Sequence, residues 1–262
     1  MTRIGYVTFA EGIWTPLLRR QVTEVLDEIQ RQSSEKWSIT LIAFISWHSY
    51  IIEREELNDV RQELDQSNIE LITVPVPIPI PYYSFSKGVT SFWKYSWYSI
   101  PIIMLFGAIP LLYYSSKQNI KIIHSRSYPA GLISMIVAKF RGDLKFVFDP
   151  RSDFPEENVT SGNWTRDSTS FSLWKYLESM ICDSSDSVIA ISESFIDHLD
   201  RTGVDVQFDK IQNNVDTSEF VFNNTFRDQY RTEHGLHNDT IVVYSGSMSS
   251  QGGITLNNMQ TQ

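Results

Sequence analysis

The sequence predicts a doubly wound α/β domain of the Rossmann type, with a parallel sheet covered by helices on both faces. Short apolar segments alternate with amphipathic segments, which is the pattern of buried parallel strands connected by helical crossovers. With 262 residues, of which 42% are hydrophobic and 20% charged, the chain has the length and composition of a globular protein with a large core.

The first part of the chain predicts a βαβαβ unit. Strands are expected at 4–9, 38–45 and 69–74, which are short and mostly apolar. Helices are expected at 17–32 and 53–67, since 17–32 repeats apolar residues every three to four positions and 53–67 is charged and amphipathic.

The same alternation resumes after residue 118 and completes a single sheet of about six parallel strands. Ser192, which follows the last of these strands, is predicted to cap a short helix. The predicted strands are 120–123, 145–148 and 187–191, and the predicted helices are 130–140, 170–184 and 194–199.

The chain changes character after residue 216. Residues 217–239 are polar and partly helical in pattern, and a new apolar strand is predicted at 240–244, closed by Ser245-Gly246-Ser247. The residues that follow are rich in Gln, Asn and Ser and lack an apolar period. We therefore expect a complete domain over 1–216, followed over 217–262 by a linker and the incomplete start of a second domain.

The balance of charge disfavours nucleic acid as a partner. Twenty-two Lys and Arg residues against 31 Asp and Glu residues give a formal charge of −9, which repels a phosphate backbone. The single cysteine, Cys182, permits no internal disulfide and no multi-cysteine metal site, and neither a metal nor a cofactor is predicted. Because the N-terminus has no signal-peptide pattern, we expect a cytoplasmic protein.

An uncharged stretch of 22 residues, 95–116, has the length of a membrane span and is flanked by aromatic residues. Three interpretations remain open: a true span, a monotopic helix pair at the membrane surface, and a buried core helix. A span is disfavoured because the strands on both sides are assigned to one sheet, and because Pro101 and Pro110 interrupt a straight helix. The monotopic interpretation implies a peripheral protein on the inner face of the membrane.

The sequence contains no zincin, nucleophile-elbow, P-loop or simple dinucleotide-binding motif. Candidate site residues are therefore sought in the loops after the strands, where doubly wound folds build their sites. In the first loop, Gly12 either permits close approach of an anion to the backbone or forms a plain tight turn. After the strand 120–123, His124 is a candidate for hydrogen bonding or proton transfer, and Arg126 for binding a phosphate or carboxylate. A structural hydrogen-bonding role is the alternative for His124.

The segment after the strand 145–148 has the highest density of charge. Its carboxylates are candidates for orienting sugar hydroxyls, since burial and mutual repulsion shift the pKa values of such groups. A solvated acidic loop is the alternative. The candidate residues are Asp149, Arg151, Asp153, Glu156 and Glu157.

Taken in order, these segments resemble the N-terminal domain of family-4 retaining glycosyltransferases of the GT-B fold. The resemblance covers roughly residues 3–248. The segments that carry it are His124-Ser125-Arg126, the charged segment 149–157, the strand 187–191 with Ser192, the hinge Ile211-Gln212-Asn213-Asn214-Val215-Asp216 with Phe220, and Tyr244-Ser245-Gly246-Ser247, which resembles the loop that opens the donor domain.

The resemblance implies that the N-terminal domain holds the acceptor and that a C-terminal domain holds the nucleotide-sugar. It implies that His124 faces the acceptor and the transferred sugar, and that Arg126 and the segment 149–157 shape the acceptor pocket. It also implies that Gly12 and Gly246 approach the phosphate of the donor.

The sequence departs from the family pattern at several positions. The usual double glycine of the first loop is Glu11-Gly12 here, and the hinge proline is replaced by Gln212. The basic pair and the glutamate motif of the donor domain have no matching residues. The resemblance therefore leaves phosphate binding by Gly12 unsupported and implies a truncated donor domain.

Two functions of different class follow. In the first, the chain belongs to a glycosyltransferase that transfers a hexose from a nucleotide-sugar to a polysaccharide, lipid-linked or related acceptor, and it is inactive alone because the donor domain is missing or supplied by a separate polypeptide. In the second, the chain is a non-catalytic module that binds an acceptor or a membrane. A nucleotide-sugar epimerase of the GT-B fold is a third alternative.

Overall fold

The computed structural model describes residues 2–33, 36–77, 99–201, 203–204, 206–213, 221–236 and 239–242. The chain divides into two compact units, Met1–Gln212 and Asn213–Gln262.

A seven-stranded sheet forms the centre of the larger unit, and its strand order is β3-β2-β1-β4-β5-β6-β7. Every pair of neighbouring strands is parallel. The order reverses between β1 and β4, and such a switch point is where doubly wound folds bind ligands. The strands are β1 Thr2–Phe9, β2 Trp37–Ser46, β3 Glu70–Val76, β4 Ile122–Arg126, β5 Lys145–Asp149, β6 Ser187–Ala190 and β7 Phe208–Lys210.

Helices connect these strands and confirm the predicted doubly wound α/β fold. Helix α1 consists of Pro16–Leu18, a π-helical turn at Arg19–Thr23, and Glu24–Ser33. Helix α4, Ser99–Lys117, also contains a π-helical turn, at Met104–Ala108. The remaining helices of this unit are α2 Trp47–Ile52, α3 Arg54–Gln66, α5 Tyr128–Phe140, α6 Phe154–Thr160, α7 Thr169–Asp183 and α8 Glu193–Arg201.

The sheet is buried on both faces, as its apolar strands predict. Along β2, Leu41 and Ala43 belong to one hydrophobic cluster, whereas Ile42 and Phe44 belong to the other. Since successive side chains of a strand point to opposite faces, each face of the sheet contributes to its own core.

The structure corrects the sequence prediction at three places. Strand β4 runs from Ile122 to Arg126, so His124 and Arg126 lie within the strand and not in the loop after it. A seventh strand, β7, extends the sheet beyond the six strands expected. Helix α6 occupies part of the charged segment that was expected to be a loop. The predicted cap is confirmed, because the Phe195 N–H donates to Ser192 Oγ at 3.2 Å.

Helix α4 lies between β3 and β4 in the chain, and one of its faces packs against the core. Its inner face is buried at Ile103 and Leu111, while Gly107 lies against the side chains of Phe9 and Ile133. Within the described residues, Ser99–Lys117 is one helix that is long and apolar enough to cross a membrane by length and composition alone. Only 39% of its apolar window is buried, so the helix packs as a core helix on one face and exposes an apolar outer face.

The smaller unit contributes one helix to the described residues, α9 Asn224–Glu233. Asn223 caps it, because Asn223 Oδ1 accepts a hydrogen bond from the Phe226 N–H at 3.0 Å. Residues 240–242 have no regular secondary structure, and the rest of the strand predicted at 240–244 lies outside the described residues, as does Gly246.

The contact between α5 and β5 leaves no space for a side chain at Gly131. A Cβ at this position would lie 2.6 Å from Phe148 Cε2 and 3.1 Å from Ile181 Cγ2. We expect Gly131→Ala to lower the free energy of unfolding by about 1–3 kcal/mol in urea denaturation, because both neighbours are buried side chains with little room to move. Gly142→Ala is the matched control, since a Cβ there meets nothing within 4 Å. Equal free energies of unfolding for Gly131→Ala and Gly142→Ala would contradict the close contact of Gly131 with Phe148 and Ile181.

Candidate functional site

Three loops leave the carboxyl ends of β1, β4 and β5, beside the point where the strand order reverses. In each loop a non-glycine residue has a positive φ: Ala10 at 57°, Ser127 at 70° and Arg151 at 64°. Such backbone conformations cost about 1–3 kcal/mol each and are concentrated at functional sites. This edge of the sheet is therefore the candidate functional site.

His124 of β4 lies at this edge, and its ring packs against Tyr6 of β1 with 4.6 Å between the ring centroids. His124 Nε2 is 3.6 Å from Asp149 Oδ2, which is longer than a hydrogen bond. His124 Nε2 and Asp149 Oδ1 are buried and have no hydrogen-bond partner among the described residues. Since buried polar atoms are nearly always paired, these two atoms retain hydrogen-bonding capacity for a ligand.

Asp149 is the last residue of β5 and is buried. Its Oδ2 lies 3.5 Å from Arg151 Nη1, in addition to its contact with His124. In the parallel register Asp149 pairs with Arg126, so this buried carboxylate lies beside two arginines and a histidine.

Arg126 is buried and forms an ion pair with Glu11 of the first loop. Arg126 Nε lies 3.1 Å from Glu11 Oε2 and 3.3 Å from Oε1, and Arg126 Nη2 donates to Gln21 Oε1 at 2.6 Å. Burial raises the pKa of Glu11 to about 7, although Arg126 acts in the opposite direction. The cation predicted to bind a phosphate or carboxylate therefore already has an acidic partner.

Gly12 is buried within a tight turn. Its carbonyl oxygen accepts hydrogen bonds from the Thr15 N–H at 2.9 Å and from Thr15 Oγ1 at 2.8 Å. The Glu11 carboxylate adjoins this turn, so an anion that approaches Gly12 meets a negatively charged group.

Asp153, which precedes α6, belongs to a second polar cluster with side chains of α7 and α8. Lys175 Nζ lies 3.2 Å from Asp153 Oδ1, 2.8 Å from Glu178 Oε1 and 2.9 Å from His198 Nε2. His198 Nε2 is also 2.7 Å from Asp153 Oδ2, and the Tyr128 hydroxyl donates to Glu178. Burial raises the pKa of Glu178. His198 was not among the predicted site residues, and the structure gives it an acidic partner.

The remaining acidic candidates lie further from the strand ends, on α6. Asp153 Oδ1 accepts a hydrogen bond from the Glu156 N–H at 3.2 Å and so caps this helix. Glu156 pairs with Arg166 at 2.9 Å, and the hydrogen bond from Arg166 lowers the pKa of Glu156. Glu157 is exposed. Within the described part of the chain, no three His, Cys, Asp or Glu side chains are grouped to hold a metal ion.

The structure thus brings together four of the predicted site residues, namely His124, Arg126, Asp149 and Arg151. Glu11 completes this cluster and was not predicted as a site residue. A charged residue directly after a buried strand, beside a turn glycine, is the signal that identifies it.

The strand order, which reverses between β1 and β4, defines a doubly wound Rossmann-type α/β domain with its candidate site at the switch point. The family model for Glycosyltransferase Family 4 matches residues 59–219, and the chain belongs to that family.

Solved structures are similar to this chain at low sequence identity. HepE of Anabaena in complex with UDP is 11% identical with a TM-score of 0.51, over 91% of this chain and 51% of that one. Sucrose-phosphate synthase from Thermosynechococcus elongatus is 13% identical with a TM-score of 0.49, over 88% and 53% respectively. The chain therefore spans about half the length of these structures. No curated protein matches the sequence significantly.

Proposed function

We propose that the larger unit is the acceptor-binding half of a retaining hexosyltransferase, which transfers a hexose from a nucleotide-sugar to a glycan or lipid-linked acceptor. The observation that carries this proposal is the cluster of His124, Arg126, Asp149 and Arg151 at the switch point of a family-4 domain. The UDP and UDP-glucose complexes of HepE support a nucleotide-sugar as the donor.

In this proposal His124 and Asp149 contact the reacting sugars. Their unpaired atoms, Nε2 and Oδ1, provide hydrogen bonds to hydroxyl groups. Arg126 and Arg151 hold the two carboxylates of the cluster in place. Asp153, Glu156 and Glu157 form the outer wall of the acceptor pocket.

The donor is proposed to bind a second domain, or a separate donor-domain polypeptide. Departure of a nucleoside diphosphate develops negative charge, which cations or dipoles must stabilise. The two arginines of the described cluster already face carboxylates, so they offer little uncompensated positive charge. We therefore expect the chain to bind acceptors but not to transfer sugar by itself.

A transfer assay tests this proposal. The full chain is incubated with radiolabelled UDP- and GDP-hexoses and a library of glycans and lipid-linked sugars, both alone and joined after residue 216 to the donor domain of a family-4 enzyme. We expect transfer only by the fused protein. Turnover by the chain alone would contradict the need for a second domain, whereas acceptor binding without transfer by the fusion would favour the non-catalytic module.

We also propose that the protein is cytoplasmic and binds peripherally to the inner face of the membrane. The outer face of α4 makes this contact. Met104, Leu105, Phe106, Ile109 and Tyr113 are exposed on this helix. No charged residue occurs between residues 95 and 116, although the chain as a whole has a charge of −9. An uncharged, apolar helix face of this kind buries its surface at a lipid interface.

Vesicle flotation measures this membrane contact. We expect the protein to float with phosphatidylcholine vesicles and Leu105→Glu to reduce the bound fraction several-fold, because a carboxylate is costly to place at the apolar interface. Tyr176→Glu is the matched control, since Tyr176 is equally exposed on α7. Equal flotation of the two variants, or no flotation of the wild type, would refute the contact.

A further inference from the structure

The first loop forms part of a shallow depression at the carboxyl ends of β1 and β2. Glu11 and Trp14 line it together with Ile45, Ser46 and Ser49. The depression thus combines an aromatic ring, an apolar wall and a single carboxylate. Small-molecule sites are typically built in this way, from apolar and aromatic surface with a few polar groups that fix orientation.

Arg126 fixes the Glu11 carboxylate at this depression. Its Nε contacts both carboxylate oxygens, and its Nη2 donates to Gln21 of α1. The Arg126 side chain is only 6% exposed, and Nη1 has no hydrogen-bond partner among the described residues. Each carboxylate oxygen accepts one hydrogen bond from Arg126 Nε and keeps a lone pair for a further donor.

The charges around the loop favour an uncharged ligand. Glu11 and Asp149 are balanced by Arg126 and Arg151, so these two arginines of the described cluster offer little uncompensated positive charge. A phosphate or carboxylate in the depression would repel Glu11 or displace it from Arg126. Hydroxyl groups, by contrast, donate to the Glu11 carboxylate and leave the ion pair intact.

We propose that Glu11 and Trp14 form a subsite for an uncharged sugar ring of the acceptor, with the indole packed against the ring and the carboxylate accepting hydrogen bonds from two hydroxyls. Arg126 is the positioning residue that holds Glu11. The first loop is thereby assigned to the acceptor and not to the phosphate of the donor. This proposal rests on the proposed function, in which the same edge of the sheet binds an acceptor.

An NMR titration of the full chain at pH 8, above the Glu11 pKa of about 7, tests the subsite with this carboxylate charged. The probes are methyl α-D-glucopyranoside, methyl α-D-mannopyranoside and the anionic methyl β-D-glucuronide, and the signals are the Trp14 indole N–H and the Gly12 amide. We expect at least one neutral glycoside to shift both signals and to bind at least about tenfold more tightly than the glucuronide, because a carboxylate opposes a like charge.

Glu11→Gln keeps the shape of the side chain and removes its charge. We expect it to weaken binding of the neutral glycoside about tenfold, since hydrogen bonds to a charged group are stronger than those to a neutral one. We also expect the neutral glycoside and the glucuronide to differ less in affinity for this variant than for the wild type. Glu55→Gln on α3 is the control, because it removes the same charge from an exposed position and is expected to leave binding unchanged.

A double-mutant cycle separates the roles of the two partners. If Arg126 acts through Glu11, adding Arg126→Gln to Glu11→Gln weakens sugar binding no further than Glu11→Gln alone. Additive losses would instead assign Arg126 its own contact with the sugar and overturn its role as a positioning residue.

Three results would overturn the subsite: unshifted Trp14 and Gly12 signals, Glu11→Gln binding as tightly as the wild type, or the glucuronide binding as tightly as the neutral glycosides. These outcomes are distinct from a failure of the proposed function. Transfer by the fused protein with no effect of Glu11→Gln rejects the subsite alone. Sugar binding at Trp14 without transfer by the fusion retains the subsite and rejects the hexosyltransferase.

Discussion

Replacing Lys175 with methionine is expected to lower the free energy of unfolding by about 3 kcal/mol. Lys175 lies between Asp153 and Glu178, and the Glu178 side chain is only 1% exposed. Removal of the ammonium group therefore leaves one carboxylate buried without its counter-ion and a second one partly buried. The measurement is equilibrium unfolding in urea at pH 7.

The pH dependence of this loss is a second readout. Burial already places the pKa of Glu178 above its ordinary value of 4.5, and loss of Lys175 raises it further. The folded variant disfavours the charged carboxylate, so the loss of stability is largest above the raised pKa. The loss shrinks as the pH falls from the raised pKa towards 4.5, below which the carboxyl is protonated in both the folded and the unfolded state.

Lys121→Met is the matched control for Lys175→Met. Lys121 forms an exposed ion pair with Asp143 at 2.9 Å, and such pairs contribute about 0–1 kcal/mol. Equal losses in the two variants, or a loss for Lys175→Met that does not change with pH, would show that the cluster around Lys175 is not a compensated charge network.

Replacing His124 with alanine is expected to reduce sugar transfer by the fused protein about 100-fold or more in kcat/KM. The imidazole lies at the switch point, and its Nε2 is buried without a hydrogen-bond partner among the described residues. In the proposed function this imidazole provides a hydrogen bond or a proton to the reacting sugars. The measurement is initial-rate kinetics with the acceptor and donor varied separately.

His48→Ala controls for the loss of a histidine, since His48 is exposed on α2. Thermal unfolding of both variants controls for the packing of His124 against Tyr6. Unchanged kcat/KM in a folded His124→Ala protein would remove His124 from the site.

The fold was predictable because the buried strands are apolar throughout and the helices are amphipathic. Strand β7 was missed because Phe208–Lys210 has three residues, two of them charged, and pairs only with β6. Helix α6 was missed because two prolines made its segment resemble a loop. Asp153 as the cap, a proline at the start and glutamates in the first turn are in fact helix-start signals.

The candidate site was predictable as a set of positions but not as a set of contacts. The ends of parallel strands meet at one edge, and the structure brings His124, Arg126 and Asp149 together there. The pairing of Arg126 with Glu11 joins residues 115 positions apart, and no local pattern in the sequence encodes it. The cluster around Lys175 is of the same kind, since it joins three separate helices.

Binding of the full chain to a glycan microarray, compared with binding by Asp149→Asn, tests the acceptor site at this edge of the sheet. We expect the wild type to bind a defined set of glycans. Asp149→Asn is expected to bind the same set at least about tenfold more weakly, because it removes a buried carboxylate that accepts hydrogen bonds from hydroxyls. Binding of no glycan, or equal binding by the wild type and Asp149→Asn, would contradict an acceptor site at this edge of the sheet.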